Sequence, residues 1–380
     1  MDSRPSGLRI AVFAHFYPPH VGGLEVVAQR VASGLAARGH RVEVLTSASP
    51  GRVGRTVEDG VVVRRMRVAN WFERRGIPFP IFGPSLLRHA WAAVRRADVV
   101  HVHDMLYVSS WVAALLCRLT RTPYVVTQHV GMVEHPSRVV RLVQWLVLRT
   151  VGTLVLTGAA RVLPISPVIE QWTLSKLPRT RTQVLRNGVE RTRFRPPRPG
   201  EKEELRRLLG LPQDEVLVLY VGRFVPKKGY DVVSRAIGEA YRLVFVGGDR
   251  PADVPESEHR LYLGALDPDV TADAYRACDV FVCASVGEGP MTPMEALLCG
   301  EAVVVNADPA MRALGLGDGV VELEVTPDAL RDLLTDLARD PVALDTLRAR
   351  GQEVARTIPT WNAHLDVLEA VLEEVAGGGG

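Results

Sequence analysis

Cysteine is scarce, and the four present (Cys117, Cys278, Cys283 and Cys299) show no CxxC pair and no metal-ligand spacing. That excludes a disulfide-stapled secreted module and a cysteine zinc site, and it fits core packing in a reducing compartment. Lysine is scarce too: only four of 46 basic side chains are lysines. A GC-rich coding sequence accounts for that bias, yet two of the four, Lys227 and Lys228, stand side by side in one motif. A large excess of one charge is also missing, and a net charge of +3 gives composition no reason to expect nucleic-acid binding. No apolar run reaches membrane-span length without an interrupting Arg. Met1–Gly7 lacks the charged-then-apolar layout of a signal peptide, so a cytoplasmic protein is expected. The dinucleotide fingerprint GxGxxG is absent, and so is any solenoid-type repeat.

What is present is a chain of 380 residues, 47% hydrophobic and 23% charged, long enough for two globular cores. Short β-rich runs alternate with longer helical stretches, the pattern of parallel α/β sheets. The apolar run Leu8–Phe16 leads into a helical stretch, Gly22–Arg38, which Gly39 stops. Strands are then expected at Arg41–Thr46, Val61–Met66, Asp98–His103, Tyr124–His129, Arg161–Ile165 and Gln183–Arg186. After the Pro- and Arg-rich stretch Arg191–Gly200 the alternation restarts. Strands are expected there at Val216–Val221, Arg242–Val246, Leu261–Leu263, Val280–Ala284, Ala302–Val305 and Val320–Val325. The expected organisation is one domain over 1–190, a linker over 191–200 and a second domain over 201–358. A final helical stretch over 359–376 is expected to cross back to the first domain. Ligands of such sheets bind beyond the strand C-termini.

Three motifs occupy such positions. Val21-Gly22-Gly23-Leu24-Glu25 follows the first strand and opens a helix, where glycine lets backbone N–H groups approach an anion. Gly-Arg-Phe-Val-Pro-Lys-Lys-Gly, 222–229, ends the first strand of the second domain and carries Arg223 and Lys228. A guanidinium fork and a point charge on one loop suit a diphosphate. In Glu288-Gly289-Pro290-Met291-Thr292-Pro293-Met294-Glu295 a loop again opens a helix, offering the N–H groups of Met291 and Thr292. Glu295 can accept bonds from ribose hydroxyls, and Glu288 can face a sugar or balance positive charge at its anomeric carbon. Each motif alone has a bland alternative: a glycine turn, a solvated basic turn, a glutamate complementing a helix dipole. Their recurrence at strand ends weakens those alternatives. His129 ends the strand Tyr124–His129 and joins the candidates.

In this order the motifs resemble those of glycosyltransferase family 4. The similarity spans nearly the whole chain and includes Asn187-Gly188-Val189, Phe194, Pro196 and Val246-Gly247-Gly248. It implies the GT-B fold, two Rossmann-like α/β domains with parallel sheets facing across a cleft, and retaining transfer of a sugar from a nucleotide-sugar donor. By the resemblance Arg223 and Lys228 hold the donor diphosphate, Glu295 the ribose, and Glu288 and His129 the transferred sugar. Gly22 and Gly23 approach the phosphates, and Gly264, Met291 and Thr292 complete the donor set. Glu25 and His103 are the acceptor candidates. Six residues separate Glu288 from Glu295 where the family has seven, which makes the loop carrying Glu288 shorter than usual.

No metal and no cofactor are expected, the nucleotide sugar being the substrate. His101 and His103 share one strand face, with Asp104 next, but no third ligand with recognisable metal spacing appears, and Asp267-Pro268-Asp269 reads as a turn. The partners expected are the nucleotide sugar and a glycan or lipid-linked acceptor of cell-envelope synthesis, with no nucleic acid. Val139–Leu156 reads first as a buried helix and second as a segment lying on the inner membrane surface. Arg64, Arg65, Arg67, Arg74 and Arg75, around Trp71 and Phe72, add a basic-aromatic patch. The rival readings are a nucleotide-sugar epimerase on the same fold and a non-catalytic two-lobed binding protein.

Overall fold

The computed structural model describes residues 7–20, 22–48, 52–69, 79–131, 138–287 and 289–378. Two compact units result: Met1–Asn187 with Trp361–Gly380, and Gly188–Thr360. The first unit begins with β1 (Arg9–Phe13), α1 (Gly23–Ala37), β2 (Arg41–Ser47), β3 (Gly54–Glu58) and β4 (Val61–Met66). A small β5 (Val68–Ala69) and β6 (Ile81–Phe82) pair follows, then α2 (Ser85–Arg96), β7 (Val99–His103), α3 (Val108–Thr120) and β8 (Tyr124–Gln128). Next come α4 (Arg138–Val147), a π-helical turn (Leu148–Gly152), α5 (Thr153–Gly158), β9 (Arg161–Pro164) and α6 (Pro167–Lys176).

The second unit holds α7 (Glu201–Leu208), β10 (Val216–Val221), a 3-10 turn (Pro226–Lys228), α8 (Tyr230–Val233), β11 (Tyr241–Val246) and β12 (Arg260–Tyr262). It continues with α9 (Pro268–Ala277), β13 (Val280–Cys283), α10 (Thr292–Cys299), β14 (Ala302–Asn306), α11 (Pro309–Arg312), β15 (Val321–Leu323), α12 (Pro327–Arg339) and α13 (Pro341–Ala355). The last helix, α14 (Trp361–Gly377), belongs to the first unit.

The first sheet has the order β3-β4-β2-β1-β7-β8-β9, all parallel except the β3–β4 hairpin at one edge. The second has the order β12-β11-β10-β13-β14-β15 and is parallel throughout its pairings. Nearly unbroken runs such as VVHVH and VLVLYV form strands here because both faces are covered, so alternation has no solvent side to serve. In the first unit, α1 and α14 cover one face through residues such as Val31, Leu35, Leu365 and Leu368. Helices α2, α3 and α5 cover the other through Ala90, Val94, Ala113 and Val155. Gly34 of α1 leaves the space that Leu365 fills, and Glu369 of α14 pairs with Arg38 at 2.6 Å and meets His40 at 2.8 Å.

Four expectations change. Gln183–Arg186 forms no strand: Gln183 N–H bonds Val162 O and Leu185 N–H bonds Pro164 O, but the ladder stops at one bridge. The stretch 191–200 is packed into the second unit, with Phe194 edge-on to Tyr275 and Arg195 paired with Glu201. Asp267 starts helix α9 and Asp269 pairs with Arg193, so the turn is a helix N-terminus. Val139–Leu156 is no buried helix: among its described side chains Leu148, Gly152, Val155 and Leu156 are buried while Leu142, Trp145 and Leu154 are exposed. In the basic patch, Arg64 pairs with Glu43 and the buried Arg65 with Glu58. Trp71, Phe72, Arg74 and Arg75 lie outside the described residues.

Candidate active site

In the first unit the C-terminal ends of β1, β7 and β8 gather histidines. His103 Nδ1 meets His129 Nε2 at 2.9 Å, so one ring nitrogen donates and the other accepts. His15 stacks on Tyr107 with centroids 3.4 Å apart. Asp104 closes the cluster with φ of 61°, a left-handed conformation that Asp tolerates better than most residues. Its Oδ1 accepts the N–H of His129 at 2.9 Å and of Val130 at 3.4 Å, fixing the backbone just past β8. Burial drives His129 down to about 3 and lowers His15 and His103, keeping all three imidazoles uncharged at neutral pH. The same burial raises the Asp104 carboxyl to about 7.

His103, one of the acceptor candidates, has no exposed surface and meets His129. His101 bonds Thr127 Oγ1 at 2.7 Å and contributes to the core. Glu25, the other acceptor candidate, is also buried and bonds His20 at 2.8 Å. A side chain at Gly22 would strike that pinned carboxylate, whereas Gly23 opens α1 with nothing in front of it. The first N–H groups of α1 lack intrahelical acceptors by position. Val21 lies outside the described residues.

In the second unit, β10 ends at Val221 and the chain turns through Gly222, with φ of 156°. The neighbouring Gly247, at φ 136°, approaches Gly222 so closely that a Cβ would hit its carbonyl. Gly264, at φ 76°, closes the adjacent turn by accepting Gly247 N–H at 2.9 Å. Arg223 is exposed, and its carbonyl is held by Tyr220 Oη at 3.0 Å. Lys228 ends the 3-10 turn, and Gly229 follows at φ 71° against Ala284, where no Cβ fits. Val286 N–H bonds Lys227 O at 3.1 Å, tying this basic loop to the loop after β13.

That second loop leads to α10, so the two motifs meet. Burial pushes the Cys283 thiol up, and Lys228 and Thr292, one from each motif, both act to lower it. Pro293 supplies no N–H, which leaves Met291 and Thr292 as the amides before the helix ladder begins. Glu295 is half-buried, accepts Tyr275 Oη at 3.2 Å, and is raised by its enclosure to about 7. Glu288 lies outside the described residues, between Gly287 and Gly289. Gly287 N–H donates to Asp308 Oδ2 at 3.0 Å, while Asp308 Oδ1 caps α11 through Ala310 N–H at 2.7 Å. Arg223, Lys228 and the two α10 amides thus form a cationic strand-end surface suited to an anion such as a diphosphate.

Residues 21–193 match Glycosyltransferase Family 4, and residues 201–356 match Glycosyl transferases group 1. D-inositol 3-phosphate glycosyltransferase 1 of Catenulispora acidiphila is 30% identical, over 94% of this chain and 92% of that protein. The chain belongs to the family 4 glycosyltransferases. It is an enzyme of that class with the GT-B fold. The D-inositol 3-phosphate glycosyltransferase of Xylanimonas cellulosilytica is 32% identical over 87% of this chain and 85% of its own. Among solved structures, sucrose-phosphate synthase of Thermosynechococcus elongatus superposes with a TM-score of 0.75 at 19% identity, covering 97% of this chain and 99% of that one. Anabaena Alr3699/HepE in complex with UDP-glucose gives 0.74 at 16% identity, covering 97% and 100%.

Several supporting residues of this glycosyltransferase escape a reading of the sequence. Asp104 follows a strand as any turn residue does, and only its two amide contacts show its work. Tyr275 lies on another helix, 20 residues before the glutamate it holds. Asp308, ahead of Pro309, does carry a readable helix-cap signal.

Proposed function

We propose that this glycosyltransferase is a retaining, metal-independent enzyme that moves a sugar from a nucleoside-diphosphate sugar to a glycan or lipid-linked acceptor of the cell envelope, on the cytoplasmic side. The observation that carries the donor side is the meeting of the Arg223–Lys228 loop with the start of α10 around Cys283. Breaking the bond between the anomeric carbon and the phosphate oxygen leaves negative charge on the diphosphate. Fixed cations and helix amides stabilise that charge without rearranging during the reaction. Glu295 accepts the ribose hydroxyls. Retention rests on the family; it requires the acceptor oxygen to bond the anomeric carbon on the departing face, its proton passing to the leaving phosphate. His129, uncharged and held by His103 at Nε2, keeps Nδ1 for a hydroxyl of the transferred sugar. Glu288 is proposed to face the same sugar.

The test is a turnover screen against UDP-, GDP-, ADP- and CMP-sugars, with UDP-glucose first because the Anabaena neighbour holds it. D-inositol 3-phosphate is the first acceptor to try, since relatives carry its name. A glycosylated acceptor with a retained anomer, formed equally well with a chelator present, is the expected result. A 2-epimerised nucleotide sugar would assign the fold to isomerisation, and binding without turnover would make it a sugar-nucleotide receptor.

A further inference from the structure

One layer of the first unit has a composition unlike the rest. Helices α2, α3, α4 and α5, with Arg121 at the end of α3 and the π-turn, hold eight arginines and no aspartate or glutamate. All eight guanidinium side chains are exposed. Helices α2, α3 and α5 and the π-helical turn, through Leu148, share the core beneath them, so their outer sides form one continuous layer, and α4 runs directly into that turn. That layer also exposes large apolar groups: Leu87 and Trp91 on α2, Leu115 and Leu119 on α3, Trp145 on α4 and Leu154 on α5. The pairs 87/91 and 115/119 are spaced by four residues and stack along their helices. Leu115 is 55% exposed and Leu119 65%. Arg95 lies over Trp91 at 5.8 Å and Arg149 over Trp145 at 5.2 Å, so charge and ring occupy the same patch.

Apolar groups interleaved with arginines, on helices that themselves carry no carboxylate, match one kind of surface. An anionic bilayer takes leucine and tryptophan into its headgroup boundary while the guanidinium ends stay with the phosphates. A second copy of this chain is a poor occupant, because an isologous contact would set eight arginines against eight more. No helix among the described residues is long and apolar enough to cross a membrane. We infer that the outer side of α2, α3, α4 and α5 docks the protein on the surface of an anionic lipid bilayer. The contact stands independently of the donor chemistry proposed above.

The test is sedimentation of the full chain with phosphatidylcholine vesicles, and with vesicles carrying about a third phosphatidylglycerol. Binding to the second set only, weakening as salt rises, is the expected result. Leu115→Glu with Leu119→Glu should abolish it, and Arg95→Gln with Arg96→Gln should weaken it about 25-fold, roughly fivefold per arginine. Leu208→Glu, at a still more exposed leucine in the second unit, should bind as wild type. All variants should keep the wild-type circular dichroism and donor turnover in detergent-free buffer. Failure of the wild type to bind anionic vesicles at low salt would overturn the inference. So would unchanged binding by the leucine variant, or a concentration-dependent dimer lost in that variant without any vesicle binding.

Discussion

The strand ends of the two sheets solve opposite electrostatic problems. In the first unit, His15, His103, His129 and Asp104 are enclosed, and enclosure holds the imidazoles neutral and pushes the carboxyl up. In the second, Arg223 is exposed and Lys228 half-buried, on loops that glycines bring close to one another. On the proposed function, a charged leaving group is met by cations that solvent helps to keep charged, whereas a hydroxyl-bearing sugar is met by directed, uncharged hydrogen-bonding groups. The same fold supplies both because strand ends accept either kind of loop.

The sharpest way to break this contrast is to remove the charges. Arg223→Ala with Lys228→Ala should lower kcat/KM by about 100- to 10,000-fold, at roughly 1.5–3 kcal/mol for each charged contact, and weaken the free nucleotide diphosphate in parallel. An unchanged nucleotide affinity by calorimetry would move the diphosphate elsewhere. Next comes Leu368→Ala in α14, fully buried against the first unit's core. It should cost about 2–5 kcal/mol of stability, read as a lower Tm, while leaving nucleotide affinity to the second unit intact. His129→Ala should lower kcat by about 10- to 100-fold with nucleotide affinity unchanged, the split expected of a group that touches only the sugar.

Two smaller effects concern pH. Nucleotide affinity should rise as pH passes about 7, where Glu295 becomes an acceptor-only carboxylate. Tyr275→Phe removes a bond that favours the charged form, so the midpoint should move to higher pH in a binding titration. Asp104, raised to about 7 in the fold from 3.8, holds its proton more tightly when folded. Its contribution is therefore fully present below about pH 4 and is lost as pH rises to about 7. Asp104→Asn should flatten that part of the stability profile in denaturant titrations across the same range.

The second unit's site was the more legible of the two in sequence. Exposed cations between glycines, as in GRFVPKKG, keep their chemistry visible in the letters, and the strands Val61–Met66 and Val216–Val221 form over the spans their apolar runs mark. The first unit's site depends on contacts between residues about 25 apart, such as Asp104 with His129, and no local period encodes them. Arg191–Gly200 misleads for a related reason. Proline and arginine read as an open tether, but Phe194 packs on Tyr275 and so braces the residue that holds Glu295.

The return of α14 has a consequence for how the protein is made. Helix α1 emerges from the ribosome well before its covering partner α14, with residues 188–360 translated in between. At roughly 5–20 residues per second that interval lasts about 10 to 35 seconds. The second unit can complete its fold during that time, whereas the first must wait with the apolar side of α1 uncovered. Nascent chains stalled before Trp361 should therefore recruit chaperones to α1 and to no comparable helix of the later unit.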